Sequence, residues 1–129
     1  MNHKHALILF AHGARDPRWA QPFQKLQAIA SRQRPDTRVE LAFLELMEPR
    51  LPEVVSGLVE SGCEQISVVP VFLGQGGHVL RDLPPMIEDL QARYPALQLQ
   101  VSPAVGESPE VLEAIGAYCI ASLPAPAAG

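Results

Sequence analysis

Two histidines and a glutamate, His12, Glu45 and His78, stand at equal intervals along the chain. Imidazole and carboxylate together suit two kinds of chemistry. They can ligate a divalent transition metal, since imidazole is a good ligand for cobalt, iron and nickel. They can also pass protons near neutral pH, where imidazole titrates and burial raises a carboxylate toward the same range. Either use requires the three groups to meet in space.

The elements around them supply a way to meet. Each of the three follows an apolar run that reads as a buried strand: residues 6–11, 39–44 and 66–72, the last reaching His78 through the glycine-rich stretch 73–77. A fourth run, 97–101, alternates and reads as a strand nearer an edge. Between the runs lie helical patterns. Asp16 is placed to cap a helix with Pro17 in its first turn and Trp19, Phe23, Leu26, Ile29 and Ala30 along one stripe. Leu51, Val54, Val55, Leu58 and Val59 form a second stripe, closed by Gly62 as a C′ residue. Residues 78–85 lead into a third helix carrying Met86, Ile87, Leu90 and Tyr94. Ser108 and Pro109 open a fourth, with Val111, Leu112, Ile115, Tyr118 and Cys119 as its apolar positions. Alternation of strand and helix predicts one α/β domain over residues 1–123. It is a three-layer sandwich around a four-stranded parallel sheet of order 2-1-3-4, with flavodoxin-like connectivity. Residues 124–129 read as a disordered tail. In that order the carboxyl ends of strands 1 and 3 form the crevice where open α/β sheets bind ligands. His12 and His78 flank it, and Glu45 stands one strand away, all within roughly 10 Å given strand spacings of about 4.8 Å.

Bulk properties narrow the function. With 129 residues, 47% of them apolar, the chain suits a single core, and its formal charge of −4 does not point to a nucleic-acid partner. No apolar run approaches the roughly 20 residues of a membrane span, and no signal-peptide pattern is present. Cys63 and Cys119 lack metal-site spacing and are expected to be reduced and buried, in a cytoplasmic protein.

Each candidate also has a plainer reading. His12 could be a structural histidine bonded to backbone. Glu45, set among apolar residues, needs a partner: an ion pair with Arg50 or Arg81, a metal, or a proton. The glycines before His78, Gly76 and Gly77 among them, allow close approach of a ligand to backbone. A phosphate-cradling loop is disfavoured, because the lysine and serine of a P-loop are missing. His3 and His5 read as exposed bystanders. Arg15, Arg18, Arg50 and Arg81 fall in the loops or first helical turns after the strands. Four arginines on one edge of an acidic protein suggest a ligand bearing several carboxylates. Phe10, Phe43, Leu44, Met47, Phe72, Leu73 and Leu83 are apolar neighbours, most of them expected in the core.

Three segments, 12–17, 42–49 and 69–84, together resemble the class II chelatases, above all the small form of sirohydrochlorin cobaltochelatase, with sirohydrochlorin ferrochelatase almost as near. The resemblance runs from about residue 6 to 122. It implies insertion of a divalent metal into sirohydrochlorin without ATP and without a permanently bound cofactor. Co²⁺ is the first expectation for the metal substrate, with Fe²⁺ or Ni²⁺ as alternatives. By the same resemblance His12 and His78 match the two active-site histidines and Glu45 the glutamate, as metal ligands or catalytic proton acceptors. Arg15, Arg50, Gly76, Gly77 and Arg81 would contact the tetrapyrrole, and the chain would form a homodimer. Rival readings are a non-catalytic metal or tetrapyrrole carrier, a purely structural α/β domain, and a phosphohistidine phosphatase or mutase. The last normally has arginine before its first-strand histidine, where this chain has Ala11.

Overall fold

A computed structural model describes residues 4–74 and 77–126, the side chains of 77–80 excepted. The four apolar runs form strands β1 (His5–Ala11), β2 (Arg38–Phe43), β3 (Gln65–Pro70) and β4 (Gln98–Val101). They pair in parallel in the order β2-β1-β3-β4, as the alternation predicts. The register sets Ala11 beside Phe43 and Phe10 beside Pro70, so the first three strands end on one level.

Alternate residues of the strands feed two cores. On one face Ala6, Ile8, Phe10, Ala42, Ile66 and Val68 pack against Leu51, Val55 and Leu58 of α2 (Leu51–Glu60) and Leu83 and Leu90 of α3 (Gly77–Arg93). On the other, Leu9, Ala11, Val39, Leu41 and Phe43 meet Trp19, Phe23, Leu26 and Ala30 of a 3-10 turn (Pro17–Ala20) and α1 (Gln21–Gln33). Phe10, Ile8, Ile66 and Val68 are wholly excluded from solvent. Each such burial contributes roughly 1.5–3 kcal/mol.

The helix ends follow local rules. Asp16 Oδ1 accepts the Arg18 backbone N–H at 2.9 Å, and its carboxylate takes the Arg18 guanidinium at 2.7–3.1 Å. These bonds hold the Asp16 carboxyl below its ordinary range. Their small contribution is therefore present at neutral pH and fades as pH falls through that lowered value. Gly62 has φ +96°. Its N–H donates to the Val59 carbonyl and that of Cys63 to the Leu58 carbonyl, both at 3.0 Å, closing α2 with a Schellman motif.

Three expectations need correction. α3 begins at Gly77, not after Pro85, and carries Pro84 and Pro85 inside it. Its apolar stripe starts at Leu83 and continues through Met86, Ile87 and Leu90, while both prolines lie on the exposed side. Packing along that stripe outweighs the two missing N–H donors. On α1, Ile29 is 42% exposed. α4 (Pro109–Ala121) buries none of its residues; its cap does form, Ser108 Oγ accepting from the Val111 N–H at 3.4 Å. Cys119 is accordingly exposed, while Cys63 is buried and both are free thiols. Burial pushes the Cys63 thiol up from its usual range, so less thiolate is available. Cys63 is expected to resist alkylation at pH 8 until the protein is denatured; peptide mass spectrometry before and after denaturation reads it.

His3 and residues 127–129 of the anticipated tail lie outside the described residues. Among the described residues no helix is long and apolar enough to cross a membrane.

Candidate functional site

The β1–β2 ladder does not stop at the last strand residues. The Leu44 N–H donates to the Ala11 carbonyl at 2.9 Å and the Glu45 N–H to the His12 carbonyl at 3.1 Å. Two further rungs thus carry the pairing past Phe43 and set His12 and Glu45 side by side. The side chains meet: His12 Nε2 lies 3.1 Å from Glu45 Oε1. The Glu45 carboxylate therefore faces His12, while Arg50 spends its Nε on the Met47 carbonyl at 3.2 Å. The structural ion pair open to Glu45 with an arginine is replaced by a histidine partner from the neighbouring strand.

The other imidazole nitrogen is also engaged. His12 Nδ1 is 3.0 Å from the Gly13 carbonyl, and a carbonyl only accepts, so Nδ1 carries hydrogen. That bond fixes the tautomer and aims Nε2 at the carboxylate. A metal ion held at Nε2 would lie within reach of Glu45 Oε1. Both side chains are accessible, 40% and 44% exposed, so a metal or a large flat ligand can reach them.

Gly13 makes this geometry possible. Its φ is +98°, and a Cβ built there would lie 1.8 Å from the Glu45 carbonyl oxygen. Only a residue without a side chain lets the two backbones come so close. Opposite it, Leu46 adopts φ +70°, a left-handed conformation that costs a non-glycine residue on the order of 1 kcal/mol. The turn that presents Glu45 holds it there, closing with the Phe43 N–H on the Pro49 carbonyl at 2.9 Å. Leu46 is 47% exposed, and Leu73, just past β3, is 64% exposed. Two bare leucines on the sheet's carboxyl edge offer apolar surface beside the polar pair.

The remaining candidates are less concentrated. Arg15 is exposed on the loop after β1. Arg18 is occupied by Asp16. Arg50 is the exposed N-cap residue of α2, and Arg81 is exposed on α3. Gly76 lies outside the described residues. Gly77 and His78 open α3 rather than ending a loop, and the His78 side chain is not among those described. Among the described residues no three metal-binding side chains gather; the described part of the site is the His12–Glu45 pair. Clefts of about 440 and 460 Å³ lie toward the opposite, amino edge of the sheet and do not include it.

Gly106 gave no signal in the sequence. It sits in a 3-10 turn (Val105–Glu107), donates its N–H to the Phe72 carbonyl at 2.9 Å, and would place a Cβ 1.8 Å from the Leu73 carbonyl oxygen. It braces the chain where β3 leaves the sheet toward His78.

Comparison with known proteins bears on this arrangement. The CbiX family model matches residues 6–119. A sirohydrochlorin cobaltochelatase of Methanopyrus kandleri is 40% identical over 82 residues, which are 64% of this chain and 57% of that protein. A sirohydrochlorin ferrochelatase of Bacillus subtilis is 33% identical over 76 residues, 59% of this chain and 29% of that protein. The matched stretch thus spans less than two thirds of either relative. Among solved structures, a CbiX protein of cobalamin (vitamin B12) biosynthesis from Marinobacter aquaeolei superposes with TM-score 0.79 and 34% identity, covering 91% of this chain and 95% of that one. The sirohydrochlorin chelatase SirB of Bacillus subtilis subspecies spizizenii, in complex with cobalt, superposes with TM-score 0.72 and 27% identity over 92% of this chain and 51% of SirB.

Proposed function

The chain belongs to the CbiX family, and from that premise we propose that it inserts Co²⁺ into sirohydrochlorin. The observation that carries the reading is the accessible His12–Glu45 pair at the carboxyl edge of β1 and β2, with the imidazole oriented by the Gly13 carbonyl and Nε2 facing the carboxylate. Iron insertion is the second reading, favoured by the ferrochelatase relative.

Metallation exchanges two pyrrole protons for one M²⁺, so a catalyst must hold the metal and accept protons. In this proposal His12 Nε2 takes the metal substrate, and the Glu45 carboxylate accepts one pyrrole proton and passes it to solvent, to which the second pyrrole proton is also lost. His78, opening α3, supplies the second imidazole. Arg15, Arg50 and Arg81 face the carboxylates around the macrocycle, and Gly76 and Gly77 leave room for its edge. Leu46 and Leu73 pack on its flat apolar surface. The protein works as a cytoplasmic homodimer; two free thiols suit a reducing compartment.

The test is anaerobic. Purified protein is mixed with sirohydrochlorin and Co²⁺ or Fe²⁺, and the absorbance change is compared with a protein-free control. Multiple turnovers above background support a chelatase, and the ratio of rates ranks the metals. Folded protein that accelerates neither metal would point to a carrier. Glu45→Gln further separates proton acceptor from ligand. As acceptor, its loss should lower kcat by roughly 10²–10⁴-fold with little change in KM for Co²⁺. A rise in that KM at constant kcat would make Glu45 a ligand instead.

A further inference from the structure

Leu46 weakens the fold in two ways. Among the described residues it alone is a non-glycine with positive φ, at +70°, where the Cβ of an L residue crowds its own backbone. Its side chain is also 47% exposed and belongs to neither core of the sheet. Glycine or asparagine would take this turn with less strain. Neither core makes use of a leucine here, and strain of this kind gathers at ligand contacts.

Its place in the fold says which ligand. Leu46 follows Glu45 directly, so an apolar surface that reaches it also lies over the His12–Glu45 pair. Leu73, 64% exposed and likewise outside both cores, follows β3. β1, which carries His12, runs between β2 and β3. The two leucines therefore leave the sheet on either side of His12, roughly 10 Å apart at two strand spacings. Both are braced from behind. The Glu45 carbonyl oxygen presses on Gly13 and the Leu73 carbonyl oxygen on Gly106, each 1.8 Å from where a Cβ would stand. Arg50 Nε closes the Leu46 turn by donating to the Met47 carbonyl at 3.2 Å. Braced apolar groups lose little freedom when a ligand covers them. A flat ring with an apolar face spans both leucines; a free metal ion touches neither.

We propose that Leu46, in its left-handed conformation, sets the affinity for the apolar face of the macrocycle, and that the fold gives up stability to keep it there. This deepens the tetrapyrrole reading above and rests on it.

Leu46→Asn separates the two effects, since asparagine is of similar size, tolerates positive φ and lacks the apolar contact. In anaerobic titrations without metal, sirohydrochlorin should bind the variant roughly three- to tenfold more weakly than the wild type, the share of a leucine's burial still open to a ligand. Its urea midpoint should equal or exceed that of the wild type, and its Kd for Co²⁺ alone should not move. Leu46→Met keeps an apolar side chain on the same strained backbone. It should hold sirohydrochlorin within roughly twofold of the wild type, with no gain in midpoint. A lowered midpoint in Leu46→Asn with unchanged sirohydrochlorin affinity would make the leucine structural and overturn the proposal. So would a change confined to self-association by sedimentation, since a second chain would then cover Leu46. If the wild type binds sirohydrochlorin without metallating it, the reaction falls, while weaker binding by Leu46→Asn still upholds the contact. A wild type that does not bind sirohydrochlorin overturns both.

Discussion

Replacing His12 and His78 together by alanine is expected to reduce metallation to the protein-free rate, a loss on the order of 10³-fold or more. Each imidazole is asked for something water cannot do: to hold M²⁺ stripped of part of its hydration shell beside the macrocycle. With Nδ1 tied to the Gly13 carbonyl, His12 has one nitrogen left for that work. The fold should survive, because the His12 side chain is 40% exposed, and truncation at such a site usually shifts stability by about 0.5 kcal/mol or less. Thermal unfolding therefore serves as the control. Wild-type turnover in a folded double variant would remove both residues from the reaction. Single variants then rank them: loss of Co²⁺ binding marks the principal ligand, and a lowered kcat with binding retained marks the proton acceptor.

The sheet order is legible in the sequence because three of its strands are near-continuous apolar runs, and alternating strands and helices leave few right-handed ways to connect them. The meeting of His12 with Glu45 is legible for a related reason: parallel strands entering one edge at one level bring equivalent positions together. What escapes is whatever depends on main chain rather than side-chain pattern. The Gly13 carbonyl that orients His12, the left-handed Leu46 and the brace of Gly106 on Leu73 have no periodicity to read. Pro84 and Pro85 argue locally against a helix that the stripe from Leu83 to Leu90 holds together. α4 shows the opposite failure: its apolar pattern promises burial that the single chain does not provide.

Two glycines allow a controlled experiment on the site's backbone. Gly13 and Gly62 have nearly the same φ, +98° and +96°, but the Cβ of an alanine meets nothing within 4 Å at Gly62 and the Glu45 carbonyl at 1.8 Å at Gly13. Gly62→Ala isolates the conformational cost, expected at about 1 kcal/mol, with metallation unchanged. Gly13→Ala adds a clash between backbones that cannot easily part, since the Leu44 and Glu45 N–H groups are bonded to Ala11 and His12. Its expected cost is about 2–4 kcal/mol. Any relaxation must pull Glu45 from His12, and displacing a reacting group by an ångström can lower the rate roughly 10²-fold. Urea titration and metallation rates of the two variants, side by side, measure both effects. If Gly13→Ala matched Gly62→Ala in stability and rate, the close approach of the β1 and β2 loops would have no part in building the site.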